Sequence, residues 1–206
     1  MLEPTENGDL LDRFKQDGEP VRRIYEPRET VVVLGAGGNP EADLFLDRLE
    51  ADRVPWRRRR GGGGTVVLTP GQVVLALVAE VASPFRNREY AGEINGWFIE
   101  ALSSLGVAGV QPRGISDLAI GENKILGTSI YRTRLTLFYQ ASLLVSNDIS
   151  VFSRYLAMPA RVPDYRAGRS HEEFCTTLVR AGYPLSVAHV MKALEEVVDV
   201  RLPALR

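Results

Sequence analysis

Cysteine is nearly missing from this 206-residue chain, with Cys175 as its one example. That excludes an internal disulfide and suits a reducing compartment. Lysine is almost as scarce. Taking Lys15, Lys124 and Lys192 from 25 basic residues leaves 22 arginines, so a lysine placed inside a motif stands out. The two histidines, His171 and His189, lie near predicted helix starts, where capping or surface roles are the common ones. Net charge is small as well. At -1 it gives no global pull toward nucleic acid or acidic membrane, so any basic function must be local. No stretch approaches the ~18 consecutive apolar residues of a membrane span, and the acidic opening MLEPTENGDLLDRF does not read as a signal peptide. The expectation is a cytoplasmic, soluble protein with neither membrane nor nucleic acid as partner. No internal repeat is visible.

What is present is ordinary for a globular chain: 45% hydrophobic and 25% charged residues, with room for one large domain over 1–206. Residues 7–17 read as a short helix stopped by Gly18, and 30–36 (TVVVLGA) as a buried strand. Pro40 opens a predicted helix through EADLFLDRLEAD, and Thr69-Pro70-Gly71 splits residues 66–82 into two strands. The longest helix covers 87–105, where Ile94, Phe98 and Leu102 repeat at helical spacing and Gly106 ends it. From 107 to 145 the strands DLAI, KILGTSIY and LTLFYQASLLV are separated by tight turns, which favours antiparallel hairpins over crossovers. A short helix from Asp148, the irregular MPARVPDYRAGR, a capping-box helix at Ser170, a helix from Ser186 and an extended tail VDVRLP complete the chain. The fold class is therefore α+β, a mainly antiparallel sheet packed with helices.

Two familiar phosphate motifs are excluded. GAGGNP carries Pro40 where a dinucleotide fingerprint needs its third glycine, and GGGGT lacks the Gly-Lys-Ser/Thr ending of a P-loop. RRRRGGGGTVVLTPGQ (57–72) nevertheless allows a ligand to lie on bare backbone amides beside forked guanidinium donors. It can equally be a flexible turn with a solvated arginine run. In GISDLAIGENKILGTSIYR, Asp117 and Lys124 fall on adjoining strands of one hairpin, and a lysine entering such an apolar sheet needs a partner unless it snorkels to water.

Together these stretches resemble the lipoate–protein ligase and octanoyltransferase family, which is related to biotin ligases. The resemblance rests on Arg58-Arg59, Gly62-Gly63-Gly64 and Thr65-Val66-Val67, then Ser116-Asp117-Leu118 and Lys124-Ile125-Leu126-Gly127. Ala141-Ser142-Leu143-Leu144, Asp148-Ile149 and the upstream VVVLGAGGNP also match in order and distance, over roughly residues 7–178. It implies an enzyme that forms lipoyl-adenylate from lipoate and ATP with Mg²⁺, then passes the lipoyl group to a lysine of a lipoyl carrier domain. No tightly bound cofactor is expected. The runner-up takes an octanoyl group from an acyl carrier protein, and a third reading is a weakened member that only binds. The implied roles are Lys124 at the developing negative charge, and Arg58, Arg59, Gly62, Gly63, Gly64, Thr65, Val66, Val67, Asp117 and Gly127 around substrate and adenylate. Asp117 is also the implied orienter of Lys124 or of Mg²⁺.

Departures from the family pattern are specific. Leu68 and Gln140 stand where the family usually has histidines, and Ala36 where an arginine often follows the first strand's glycine. Thr69-Pro70-Gly71-Gln72 looks more like the transferase version. Cysteine-using transferases place their nucleophile elsewhere, and Cys175 reads as a small core residue of a late helix. The 28 residues after Leu178 leave no room for a C-terminal accessory domain, so a separate accessory chain is a possible partner.

Overall fold

A computed structural model describes residues 7–205. The chain begins with α1 (Gly8–Asp17), β1 (Val21–Tyr25) and β2 (Val31–Leu34), followed by two short helices, α2 (Pro40–Asp43) and α3 (Leu46–Ala51). Then come β3 (Trp56–Arg58), β4 (Val66–Leu68), β5 (Gln72–Glu80) and the long α4 (Asn87–Ser104). The hairpin region holds β6 (Val110–Arg113), β7 (Asp117–Ile120), β8 (Asn123–Thr133) and β9 (Thr136–Leu144). Helices α5 (Ser150–Tyr155), α6 (His171–Phe174) and α7 (Val187–Arg201) follow, with single 3-10 turns at Asp164–Arg166 and Leu202–Ala204.

Six strands form one wholly antiparallel sheet in the order β1-β5-β9-β8-β7-β6, and β3-β2-β4 form a smaller sheet in which only the β2–β3 pair is parallel. This is the α+β class expected. The sequence of β5, QVVLALVA, is apolar at nearly every position because both of its faces are covered. Val73, Leu75, Leu77 and Ala79 face the core made with α4 and α7, whereas Ala76 and Val78 pack under Leu10, Leu11 and Phe14 of α1. The smaller sheet closes on a separate cluster in which Val32, Leu34 and Val67 meet Leu49, Phe152 and Tyr155.

Two element expectations are corrected. The helix predicted through EADLFLDRLEAD breaks at Leu44, which is extended (φ -123, ψ 145) and bridges Leu156 while Phe45 N–H donates to the Tyr155 carbonyl at 3.0 Å. That tertiary pairing buries Leu44 and outweighs local helix preference. The tail VDVRLP is not extended either. Helix α7 runs on to Arg201, and the 3-10 turn after it seats Leu202 and Leu205 in the core, which decides against the β-branched pattern. Strands β1 and β3 escaped the sequence reading, since VRRIY and WRR carry no alternating apolar face. Among the described residues, no helix is long and apolar enough to cross a membrane.

Candidate active site

The glycine stretch is held from beneath by two arginines. Arg58, at the end of β3, donates through Nη1 to the carbonyls of Gly35, Ala36 and Gly38 at 3.3, 3.1 and 2.7 Å. Arg59, only 6% exposed, donates from Nη2 to the Gly62 and Gly64 carbonyls at 2.9 and 2.6 Å. Its Nη1 reaches the Val33 carbonyl and its Nε the Ser129 hydroxyl. Burial pulls the Arg59 guanidinium down to about 10. Through these bonds Arg58 Nη1 and the Arg59 guanidinium shape the two glycine loops, while Nε and Nη2 of Arg58 take no part in them. The loops meet closely: a Cβ on Gly35 would run into the Gly63 carbonyl oxygen, and Gly63 itself has φ +90. Thr65 Oγ1 is buried without a partner, Val66 turns into the cleft described below, and Val67 turns away into the core.

Lys124 and Asp117 come together through a bulge. The register slips between Leu118↔Leu126 and Ala119↔Lys124, so β8 places one extra residue opposite β7. The Lys124 ammonium thereby reaches back over Gly127 to Asp117, with Nζ 2.8 Å from Oδ1. Gly127 is needed for this path, because a Cβ there would lie 2.8 Å from Nζ and 2.9 Å from Cε. The Tyr165 hydroxyl donates to the other Asp117 oxygen at 2.8 Å. Under this pair runs a buried chain: Tyr139 O–H donates to Asn95 Oδ1 at 2.6 Å, and Asn95 Nδ2 to the Ser116 carbonyl at 3.0 Å, which Thr128 Oγ1 also reaches. Asn95→Ala would strand the fully buried Tyr139 hydroxyl and leave the Ser116 carbonyl with Thr128 Oγ1 alone. A loss of about 2 kcal/mol in urea unfolding is expected.

A strap the sequence left irregular closes the other side. Tyr165 stacks against Phe174 with ring centroids 4.9 Å apart, and the Arg166 and Arg169 guanidiniums sit 5.0 and 5.4 Å from the same ring. Arg169 Nη2 donates to the Glu122 and Tyr165 carbonyls, both at 2.8 Å, which ties the strap to the β7–β8 turn. The capping box at Ser170 is present as expected. The helix it opens is only four residues long, however, so Cys175 is corrected from a helical core position to an extended one bridging Lys124. It still packs against the smaller cluster, and burial pushes its thiol up while Lys124 pulls it down. His171 is held below its usual range, first by burial and then by Arg166. In sequence, RVPDYRAGR (161–169) reads either as an arginine-rich loop folding over the site or as a surface crossover; here Tyr165 and Arg169 tie it to Asp117 and to the β7–β8 turn.

Between the two sheets lies a cleft with apolar walls from Val31, Val33, Val66, Leu68, Val74 and Ala141. Leu68 and Gln140, the two residues standing at family histidine positions, both line it. Gly127 and Thr128 line it too, so the cleft reaches the glycine over which the ammonium passes. Such walls suit an apolar ligand chain. Asp117 is the residue implied to hold Mg²⁺. Both Asp117 oxygens are engaged, and no group of three His, Cys, Asp or Glu side chains that could hold a metal occurs among the described residues.

Residues 9–199 match the family model described as the lipoyl protein ligase A/B catalytic domain. A Mycoplasma pneumoniae protein named "Probable lipoate-protein ligase A" is 29% identical over 148 residues, covering 71% of this chain and 43% of its own length. Lipoate-protein ligase A of Psychrobacter cryohalolentis is 30% identical over 133 residues, 65% of this chain and 37% of that one. The chain thus spans less than half the length of these curated relatives. Among solved structures, the bi-partite lipoate protein ligase of Thermoplasma acidophilum superposes with a TM-score of 0.77 at 22% identity, covering 90% of this chain and 72% of its own. A lipoate-protein ligase A bound with ATP gives 0.76 at 21% identity, with 90% and 73% covered. With 191 of its residues inside the family model, the chain belongs to the lipoyl protein ligase A/B catalytic-domain family.

Proposed function

We propose that this chain works as one catalytic unit that activates lipoate with ATP and transfers the lipoyl group to a lysine of a lipoyl carrier domain. The observation that carries this reading is the Lys124–Asp117 pair, 2.8 Å apart and bordering the apolar cleft at Gly127. In the first step a lipoate carboxylate oxygen bonds to the α-phosphorus of ATP and the bond to pyrophosphate breaks. In the second, the acceptor amine bonds to the acyl carbon, AMP departs with the C–O electron pair, and the amine loses its proton. Negative charge grows on phosphoryl oxygens first and on the acyl oxygen next. A fixed ammonium beside the cleft at Gly127 meets both demands. Asp117 orients that ammonium, and Tyr165 orients Asp117. The cleft holds the chain so that the carboxylate arrives in reach. No step is assigned to a protein-bound Mg²⁺; the ion accompanies the nucleotide.

Two printed names support the substrates: one neighbour is bound with ATP, and the Thermoplasma protein is described with its E2 lipoyl domain. Leu68 and Gln140 favour a second reading. They leave the cleft without imidazole and suited to a plain octanoyl chain brought by acyl carrier protein. Lipoate-dependent exchange of labelled pyrophosphate into ATP separates the two. Exchange is expected here. Its absence, together with octanoyl transfer from carrier protein, would establish the second reading, and tight ligand binding without either reaction would leave a binding protein.

A further inference from the structure

The short ladder between β7 and β8 does not reach Asp117. Its pairs run from Ile120↔Asn123 through Ala119↔Lys124 to Leu118↔Leu126, with the register slip among them, and stop one residue short of it. On its other side Asp117 pairs with Arg113 of β6, the edge strand. Strand pairing therefore leaves the position of Asp117 relative to the Lys124–Gly127 backbone open, although an ion pair closed at 2.8 Å depends on it.

The Ser116 carbonyl supplies the missing tie. It belongs to the planar peptide unit that leads into Asp117, so holding its oxygen holds the Asp117 nitrogen and Cα as well. Thr128 Oγ1 donates to it at 3.2 Å from the residue after Gly127, and Asn95 Nδ2 donates at 3.0 Å from α4. Asn95 is 2% exposed on a helix face shared with Ala91, Ile94, Phe98 and Leu102, where an amide is costly unless its ends are bonded. Its orientation follows from its partners. A carbonyl only accepts, so Nδ2 must face Ser116, and Oδ1 then faces the Tyr139 hydroxyl, which must donate at 2.6 Å. Burial pushes the Tyr139 phenol well up, so the donor proton stays in place. Apolar side chains at both positions would fill this core with no polar group to satisfy. What the amide adds is its one bond out of the core, to the carbonyl before Asp117.

We propose that Asn95 is a positioning residue of the site: by holding the Ser116 carbonyl it fixes the Asp117 carboxylate, and through Asp117 the Lys124 ammonium, beside the cleft at Gly127. The inference rests on the adenylation reading for the reaction it serves, whereas the placement itself is a property of the protein alone. Asn95 does not line the cleft, and Tyr139 reaches the site only through Asn95.

The scarcity of lysine supplies the readout. Lys15, Lys124 and Lys192 give three side-chain Cε resonances in protein labelled with ¹³C-lysine, and Lys124→Ala identifies the one belonging to the pair. In Asn95→Leu that resonance is expected to move while the other two stay. Lipoyl transfer per folded protein is expected to fall about tenfold or more in kcat, with KM for lipoate little changed. Tyr139→Phe keeps the Asn95–Ser116 bond, so it should lower the unfolding midpoint yet move the resonance and kcat far less. Combining Asn95→Leu with Tyr139→Phe removes both polar partners at once. Stability should then recover, but the displaced resonance and low kcat should persist, and this variant serves if Asn95→Leu alone folds poorly. A merely structural role would return activity together with stability in the double variant, and that result overturns the proposal. So does an unmoved Lys124 resonance in Asn95→Leu, or an equal displacement in Tyr139→Phe. Failure of the adenylation reading shows itself separately, as a parent without lipoate-dependent pyrophosphate exchange, and the resonances still decide the role of Asn95.

Discussion

Replacing Lys124 with alanine is expected to lower lipoyl transfer by about 10²–10³-fold while leaving the protein folded, because one preorganised charge at a reacting carbonyl or phosphoryl group contributes on that scale. The fold should tolerate the change. Lys124 lies with its side chain 26% exposed, and its removal leaves Asp117 still bonded to Tyr165. The cleft walls are untouched, so lipoate should bind nearly as before, and the loss should appear in kcat rather than KM. Gly127→Ala tests the same geometry from the other side. It deletes nothing, but its Cβ would occupy the space 2.8 Å from Nζ, so the ammonium must leave its present path. An about tenfold or greater fall in kcat is expected with the thermal midpoint little changed. Full activity in Lys124→Ala would remove that residue from the chemistry altogether.

Arg59→Met is expected to cost on the order of 3 kcal/mol in urea unfolding and to abolish acyl binding. The guanidinium serves the carbonyls of Val33, Gly62 and Gly64 and the Ser129 hydroxyl at once. Methionine fills the volume but supplies no donor, which leaves several oxygens unpaired in the interior. Part of that cost is offset, since the arginine itself is desolvated, as its depression to about 10 shows. Arg59→Lys should not rescue the loop, because a single ammonium cannot replace a planar fork that addresses acceptors on β2, β8 and the glycines. A stability change below about 1 kcal/mol would mean that water can take over these bonds.

How far the sequence could be read depended on which forces acted locally. The hairpin from Asp117 to Leu144 was legible because turns and apolar runs alternate with hairpin spacing, and tertiary packing agrees with that local preference. The glycine stretch was legible as bare backbone on which a ligand could lie; that Gly35 and Gly63 also press against each other there was not, because the two loops are far apart in the chain. The carbonyl partners of its arginines were not, since a guanidinium looks the same in sequence whatever its acceptors are. Leu44 and the tail after Val198 were misread for a related reason: pairing with Leu156 in one case and burial of Leu202 in the other came from distant residues. Cys175 reaches Lys124 only through the return of the chain after the strap, a fact of topology to which no spacing in the chain points. Asn95 likewise lies on a helix face otherwise read as apolar, and its partner Tyr139 is 44 positions away.

The most direct test of the central claim is the intact mass of a purified lipoyl domain after incubation with this protein, lipoate, ATP and Mg²⁺. The account predicts a gain of one lipoyl group, absent when ATP is omitted and absent with Lys124→Ala. No gain with lipoate and ATP, but a gain from octanoyl carrier protein, would contradict it and make the chain a transferase. An unchanged gain with Lys124→Ala would contradict the site.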